Sequence, residues 1–212
     1  MDALPALRGQ VVKPFFAYLS RLRLVQRWGL MRSHEPENVA EHSHQVAVVA
    51  HALAVIGNQY GHTQVDPAKV ALAALFHDAS EVLTGDLPTP VKYANPDMRA
   101  AYKGLEDAAT ARLLRMLPLK LQPDYAPLLS PEDPEVVRLV KAADKLCAYL
   151  KAVQEVAVGN REFAAAKTAL REQLKTLAPE GSAPEVEHFL REFEHTFTRS
   201  LDELQAHDER AD

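Results

Sequence analysis

An all-α fold is predicted by three features of the sequence. Apolar residues recur at helical spacing over most of the 212 residues, alternation with a period of two and rich in Val, Ile and Thr is scarce, and helix start and stop signals bracket the periodic segments. A first helix is expected from Lys13 to about Val25, with Phe15, Phe16, Leu19 and Leu22 on its buried face, and Arg27-Trp28-Gly29 ends it. Asn38-x-x-Glu41 resembles a capping box, which places a second helix from Val39 to Ile56 with Gly57-Asn58 as its stop. Asp66-Pro67 starts a third, because Asp suits the N-cap and Pro the first helical position; it runs to about Thr84-Gly85 and carries His77, Asp78 and Glu81. The prolines of Asp86-Leu87-Pro88-Thr89-Pro90 then require an extended loop. A fourth helix follows from Asp97 to Leu117. The five prolines between Pro118 and Pro134 mark a connection with one short turn around Tyr125–Leu129. Asp133-Pro134 restarts a helix that runs to Val158, with Gly159-Asn160 as its stop, and two more are expected over Glu162–Leu177 and Pro184–Gln205.

A chain of this length with 47% hydrophobic residues can bury one substantial core, so a single domain is expected over residues 13–206, flanked by an N-terminal extension (1–12) and a C-terminal tail (207–212). The net charge of -5 gives no general attraction to nucleic acid, and no polymer partner of that kind is expected. No run approaches the ~20 apolar residues of a membrane span. The N-terminus does not read as a signal peptide, and the single cysteine, Cys147, suits a reducing compartment. A cytoplasmic protein with no membrane partner is the expectation. Cys147 itself reads as a small buried residue.

Chemistry is concentrated where Ala74-Leu75-Phe76-His77-Asp78-Ala79-Ser80-Glu81 interrupts an apolar stretch with two potential metal ligands and an acid. His42 lies 35 positions before His77, and Asp144 lies 66 positions after Asp78 in Ala143-Asp144-Lys145. Two imidazoles and two carboxylates offer N and O donors that suit a hard or borderline divalent cation. Glu81 stands at i+4 from His77 and i+3 from Asp78, one turn along a helix, within reach of a metal-bound water or a leaving-group proton. Each residue also has a plainer explanation. A His-Asp pair is commonly polar surface, Asp144 could pair with Lys141 or Lys145, and His42 could be an ordinary helix-start histidine. Arg27 could meet the last carbonyls of its helix, and Trp28 could be core. His34, His44, His51, His62, His188, His195 and His207 show no partner pattern.

Taken together, the order His, His-Asp, Asp on an all-helical chain resembles the HD-domain metal-dependent phosphohydrolases. The stretches Leu19–Leu22, Glu37–Ser43, Ala143–Leu150 and the unbroken block from His77 to Pro90, continuing to Lys92, are similar to the bacterial HD-domain 5′-deoxynucleotidases. The resemblance runs from about Pro14 to Leu204. It implies an HD-type helical bundle with a metal site between helices, one divalent ion per chain (Co²⁺ or Mn²⁺) held by His42, His77, Asp78 and Asp144, and a deoxyribonucleoside 5′-monophosphate as substrate. It also implies a homodimer. Arg27 matches the residue that orients the phosphate and so contributes to catalysis. Trp28 matches one that packs near the sugar and discriminates against a 2′-hydroxyl. Asp86, Leu87, Pro88 and Thr89 match a loop lining the nucleotide site, where His42, Asp78 and Asp144 also border the substrate. Glu81 matches an essential acid, and Asp86 is the second candidate for proton transfer.

Two rival functions fit parts of the pattern. An HD-type phosphodiesterase acting on a cyclic or signalling nucleotide would use the same cage, but there is no further His pair for a second metal and no Gly-Tyr-Pro signature. A non-catalytic nucleotide-binding module would be expected to have lost a ligand or Glu81, and none is missing.

Overall fold

The computed structural model describes residues 12–92, 94–177 and 183–208. In chain order its α-helices are α1 (Phe15–Leu19), α2 (Val39–Gln59), α3 (Pro67–Leu75), α4 (Glu81–Thr84), α5 (Thr89–Lys92), α6 (Pro96–Arg115), α7 (Gln122–Leu129), α8 (Pro134–Ala157), α9 (Ala164–Lys175), α10 (Pro184–Phe193) and α11 (Leu201–Asp208). No strand occurs among the described residues, so the all-α expectation holds. None of these helices is long and apolar enough to cross a membrane. The expected N-terminal extension, apart from Val12, and residues 209–212 of the expected tail lie outside the described range.

The frame is built on α2 and α8. Val46, Val49, Ala50 and Leu53 of α2 pack with Val70, Ala73 and Ala74 of α3, with Leu139, Ala143, Leu146 and Leu150 of α8, and with Phe189 and Leu190 of α10. Cys147 is buried in this core, as expected. Burial of this kind stabilises by about 1.5–3 kcal/mol per large aliphatic side chain, which is why a helix as short as α3 holds its place. A second, smaller cluster gathers Phe15, Ala79, Leu113 and Leu117, with Tyr125 and Leu129 against it. It packs the N-terminal segment onto the turn that follows α3.

Sequence signals and structure agree best at helix starts. Asn38 Oδ1 accepts from the Glu41 N–H at 3.1 Å, Asp66 Oδ1 from Ala68 at 2.9 Å, and Asp133 Oδ1 from Glu135 at 3.0 Å. Helix stops agree less well. α2 passes through Gly57 and ends at Gln59, because Gly57 serves a close approach: a Cβ there would lie 2.5 Å from Thr63 Oγ1. The left-handed residue that follows is Gly61, at φ 75°.

Five segments differ from expectation in kind. The first helix is only five residues long and is followed by a 3-10 turn at Leu22–Leu24; Phe16 is exposed while Phe15 is buried. The third helix stops at Leu75. The Ala74 carbonyl, which the Asp78 N–H would need in a continuing helix, is taken at 2.7 Å by the His77 imidazole, and residues 76–80 form tight turns before α4 begins at Glu81. The prolines predict an extended loop over 86–90 and a connection with one short turn around Tyr125–Leu129, yet α5 forms in the first and the turn lengthens to the eight-residue α7 in the second. Pro90 and Pro123 each occupy the second position of their helix, where the missing N–H has no intrahelical partner to lose. Finally, Pro184–Gln205 is divided by a 3-10 stretch at Glu194–Thr198, and α11 restarts on a reciprocal cap in which Ser200 Oγ accepts from Glu203 N–H while the Glu203 carboxylate accepts from Ser200 N–H.

Candidate active site

The three core helices bring the separated ligand candidates together. His42 sits in the first turn of α2, fully buried; His77 and Asp78 lie in the turn after α3; Asp144 comes from the middle of α8. His42 Nε2 is 3.0 Å from Asp144 Oδ1 and 3.8 Å from Asp78 Oδ2, while His77 Nε2 is 3.0 Å from Asp78 Oδ2 and 4.0 Å from Asp144 Oδ1. Donor atoms of His42, His77 and Asp78 fall within 4.8 Å of one another. His77 donates Nδ1–H to Ala74 O, so in the neutral ring Nε2 is the lone-pair atom; it is buried and faces the Asp78 carboxylate without a hydrogen bond of good geometry. An N₂O₂ set with an unpartnered imidazole nitrogen aimed into it fits a divalent cation. Asp144, expected on an apolar face with Lys141 or Lys145 as the plainer partners, instead meets His42; Lys145 turns away to Gln173.

The electrostatics are those of a cage. Burial alone would lower the His77 pKa, but Asp78 and then Asp144 raise it to about 9. His42 is likewise raised against burial, by Asp144 and Glu37. Burial would raise Asp78 and Asp144, and the facing imidazoles hold both below the usual carboxylate range. Glu81 behaves oppositely. Buried at the start of α4, with Oε2 lacking any hydrogen-bond partner, it is pushed up to about 9 by burial and by the charges of Asp78 and Asp86. Asp86, half-buried beyond α4, is raised by burial and Asp78, with Arg27 and Lys92 opposing. Two acids with elevated pKa values beside a cation cage are suited to proton transfer.

The segment before α2 carries the other half of the site. An isolated antiparallel bridge joins Gln26 to Asn38, with Arg27 N–H donating to Glu37 O and Val39 N–H to Val25 O, each at 2.9 Å. The Arg27 guanidinium reaches Asp78 Oδ2 and Glu37 Oε2, each at 3.4 Å. Burial opposes its charge, but Asp144, Asp78 and Glu37 hold it protonated. Trp28 has φ 58°, the one non-glycine residue with positive φ among the described residues, a conformation that costs about 1–2 kcal/mol. Two contacts hold it there: the indole N–H donates to Glu37 Oε2 at 2.8 Å, and the ring lies 5.1 Å from that of buried Phe163.

Glu37 and Glu155 are the residues that sequence reasoning missed. Glu37 stood inside the stretch Glu37–Ser43 without a role, and its own sequence signal was only an acid next to a cap. Glu155 on α8 is buried and accepts from the backbone N–H groups of His34 and Glu35, from Asn160 and from Lys151, tying the segment between Trp28 and Glu37 to the core. Leu87 and Pro88 are half-buried and Thr89 exposed at the start of α5; none has a hydrogen bond to the ligand cluster among the described residues. His34, His44, His51, His62 and His195 are exposed, and His188 lies against Tyr60, in keeping with their lack of pattern; of the side chain of His207 nothing is described.

Residues 14–197 match the profile of a family described as 5′-deoxynucleotidase YfbR-like. Over 192 residues the chain is 52% identical to a 5′-deoxynucleotidase of Vibrio parahaemolyticus, covering 90% of this chain and 97% of that protein. Over 194 residues it is 53% identical to a 5′-deoxynucleotidase of Cronobacter sakazakii, covering 90% and 94%. Among solved structures, an HD-domain phosphohydrolase from Listeria innocua superposes with a TM-score of 0.75 at 26% identity, over 88% of this chain and 89% of that one. The cyanophage S-2L HD phosphohydrolase DatZ, bound to dA and one catalytic Zn²⁺ ion, superposes with a TM-score of 0.62 at 26% identity, over 87% and 96%.

Proposed function

The chain belongs to the YfbR-like 5′-deoxynucleotidase family, and on that footing we propose that it hydrolyses deoxyribonucleoside 5′-monophosphates to deoxyribonucleosides and phosphate, preferring deoxyribose to ribose and little concerned with the base. The observation that carries this reading is the convergence of His42, His77, Asp78 and Asp144 beside a charged Arg27 and a protonated Glu81. His42, His77, Asp78 and Asp144 would hold one divalent ion, with Co²⁺ or Mn²⁺ as the activating species; intrinsic affinities favour Zn²⁺ and Cu²⁺, so the ion retained on purification need not be the most active one. When bound, such an ion supplies positive charge against the phosphoryl oxygens and lowers the pKa of a bound water.

The chain's own groups do the rest. Arg27 binds the phosphate and fixes it in one orientation. Water oxygen bonds to phosphorus as the bond to the 5′-oxygen breaks. Glu81 and Asp86 divide the two proton transfers, one accepting from the attacking water and the other donating to the leaving 5′-oxygen. Trp28 walls the sugar near C2′, and Asp86, Leu87, Pro88 and Thr89 border the nucleotide. The catalytic unit is a single domain over residues 13–206, acting as a cytoplasmic homodimer; the family resemblance supports the dimer, and the lone cysteine a reducing compartment.

The test is phosphate release from a panel of deoxyribo- and ribonucleoside 5′-monophosphates and 3′-monophosphates, on protein stripped by chelation and reloaded with Co²⁺ or Mn²⁺. Turnover should return only with metal and only for 5′-deoxyribonucleotides at full rate. Full activity of stripped protein would remove the metal assignment, and equal kcat/KM for AMP and dAMP would remove the sugar preference.

A further inference from the structure

Glu37 stands between two parts of the site that the proposed reaction treats separately. Glu37 is 7% exposed. Oε2 receives the Trp28 indole N–H at 2.8 Å and Arg27 Nε at 3.4 Å, and Oε1 faces His42 Nδ1 at 3.5 Å. The main chain fixes the same arrangement, since Arg27 N–H donates to Glu37 O across the Gln26–Asn38 bridge. His42 Nδ1 has no hydrogen-bond partner of good geometry, so the Glu37 carboxylate is the group placed to orient that ring. The left-handed backbone of Trp28 means that its ring position is imposed by tertiary contacts, of which Glu37 supplies the polar one.

We infer that Glu37 is a positioning residue that couples the metal ligand His42 to the sugar-contacting Trp28, so that metal occupancy and discrimination between deoxyribose and ribose depend on one carboxylate. The inference rests on the reading of His42 and Trp28 given above. Physically, the His42 ring would become a stronger Nδ1–H donor to Glu37 when His42 helps to hold a cation. That contact turns the carboxylate, and the carboxylate carries the indole with it. Arg27, which also has Asp78 as a partner, is less dependent on Glu37 than Trp28 is.

Trp28 is the chain's single tryptophan, so intrinsic fluorescence reports this residue alone. Zn²⁺ alone, a closed-shell ion, is titrated into metal-free wild-type protein while binding is followed separately by calorimetry. Trp28 emission should change in step with the first equivalent bound. In Glu37→Gln the emission change should vanish, Zn²⁺ affinity should fall by about tenfold or more, and the dAMP/AMP ratio of kcat/KM should drop toward unity; Glu37→Asp should recover part of that ratio. Stoichiometric Zn²⁺ binding to wild type with unaltered Trp28 emission would overturn the coupling, and this arm requires no variant to fold. So would a folded Glu37→Gln with wild-type Zn²⁺ affinity and selectivity. A wild-type enzyme that cleaves AMP and dAMP equally would instead remove the underlying reading of Trp28.

Discussion

Arg27 Nη1 lies 3.4 Å from Asp78 Oδ2, so the cation proposed to bind phosphate already touches a proposed metal ligand. A divalent ion held by Asp78 would neutralise that carboxylate, and the guanidinium would then be available to a phosphoryl oxygen. Arg27→Ala should therefore depress kcat/KM for dAMP and AMP alike, by a factor of ten or more for loss of a charge-assisted contact of about 1.5–3 kcal/mol. Steady-state kinetics on the two nucleotides checks this, and an effect on one of them alone would contradict the assignment.

Trp28→Ala should act differently. With the indole gone, an added 2′-hydroxyl is no longer buried without a partner, a cost of about 1–3 kcal/mol. The gap between dAMP and AMP should narrow, chiefly through a gain on AMP relative to dAMP. The ratio of the two kcat/KM values is the measurement, and an unchanged ratio would show that discrimination lies elsewhere.

Glu81→Ala should keep its metal and its nucleotide but lose about 10²-fold or more in turnover, the usual scale for a removed proton-transfer group. Asp78→Ala should lose metal as well, because it removes one of four donors. Metal content after dialysis separates the two variants. If Glu81→Ala came out metal-free, Glu81 would have to be counted among the ligands.

Most of the architecture could be read from local signals, and the site only in part. Asn38, Asp66 and Asp133 each announce a helix because one side chain caps a nearby N–H, an interaction within three residues. The break after Leu75 carries no such signal: it depends on a histidine taking a backbone carbonyl, and the sequence shows neither proline nor glycine there. The ligand set was visible as residue types, yet the same-helix geometry inferred for His77, Asp78 and Glu81 was replaced by a turn followed by a new helix. Glu37 and Glu155 were invisible for a different reason. Glu155 has a local partner in Lys151, but the His34 and Glu35 N–H groups that bury it lie 121 and 120 positions away, and Glu37 meets Arg27 and Trp28 across the Gln26–Asn38 bridge; nothing local distinguishes either acid from a surface one.

Glu155 leads to a stability prediction. Burial would raise its pKa, but Lys151, the His34 and Glu35 N–H groups and Asn160 lower it to about 2 from an ordinary value of 4.5. The stabilisation is therefore complete above about pH 4.5 and is lost as pH falls toward about 2. Glu155→Gln should lower the unfolding free energy by about 1–3 kcal/mol near neutrality, and the difference in Tm between variant and wild type should shrink through that acidic window. A difference that stays constant from pH 7 to pH 3 would count against the carboxylate's charge as the cause.

The dispersal of the ligands along the chain also bears on how the protein is made. His42, His77 and Asp78 leave the ribosome well before Asp144, and α2 and α3, which pack on each other, lack the α8 face of their core until that helix has followed. A nascent chain that ends short of α8 thus has three donors but no assembled cage. The four side chains proposed to hold the ion therefore come together only once elongation has passed α8, so a chain truncated before Pro134 should show no high-affinity binding of Zn²⁺ by calorimetry.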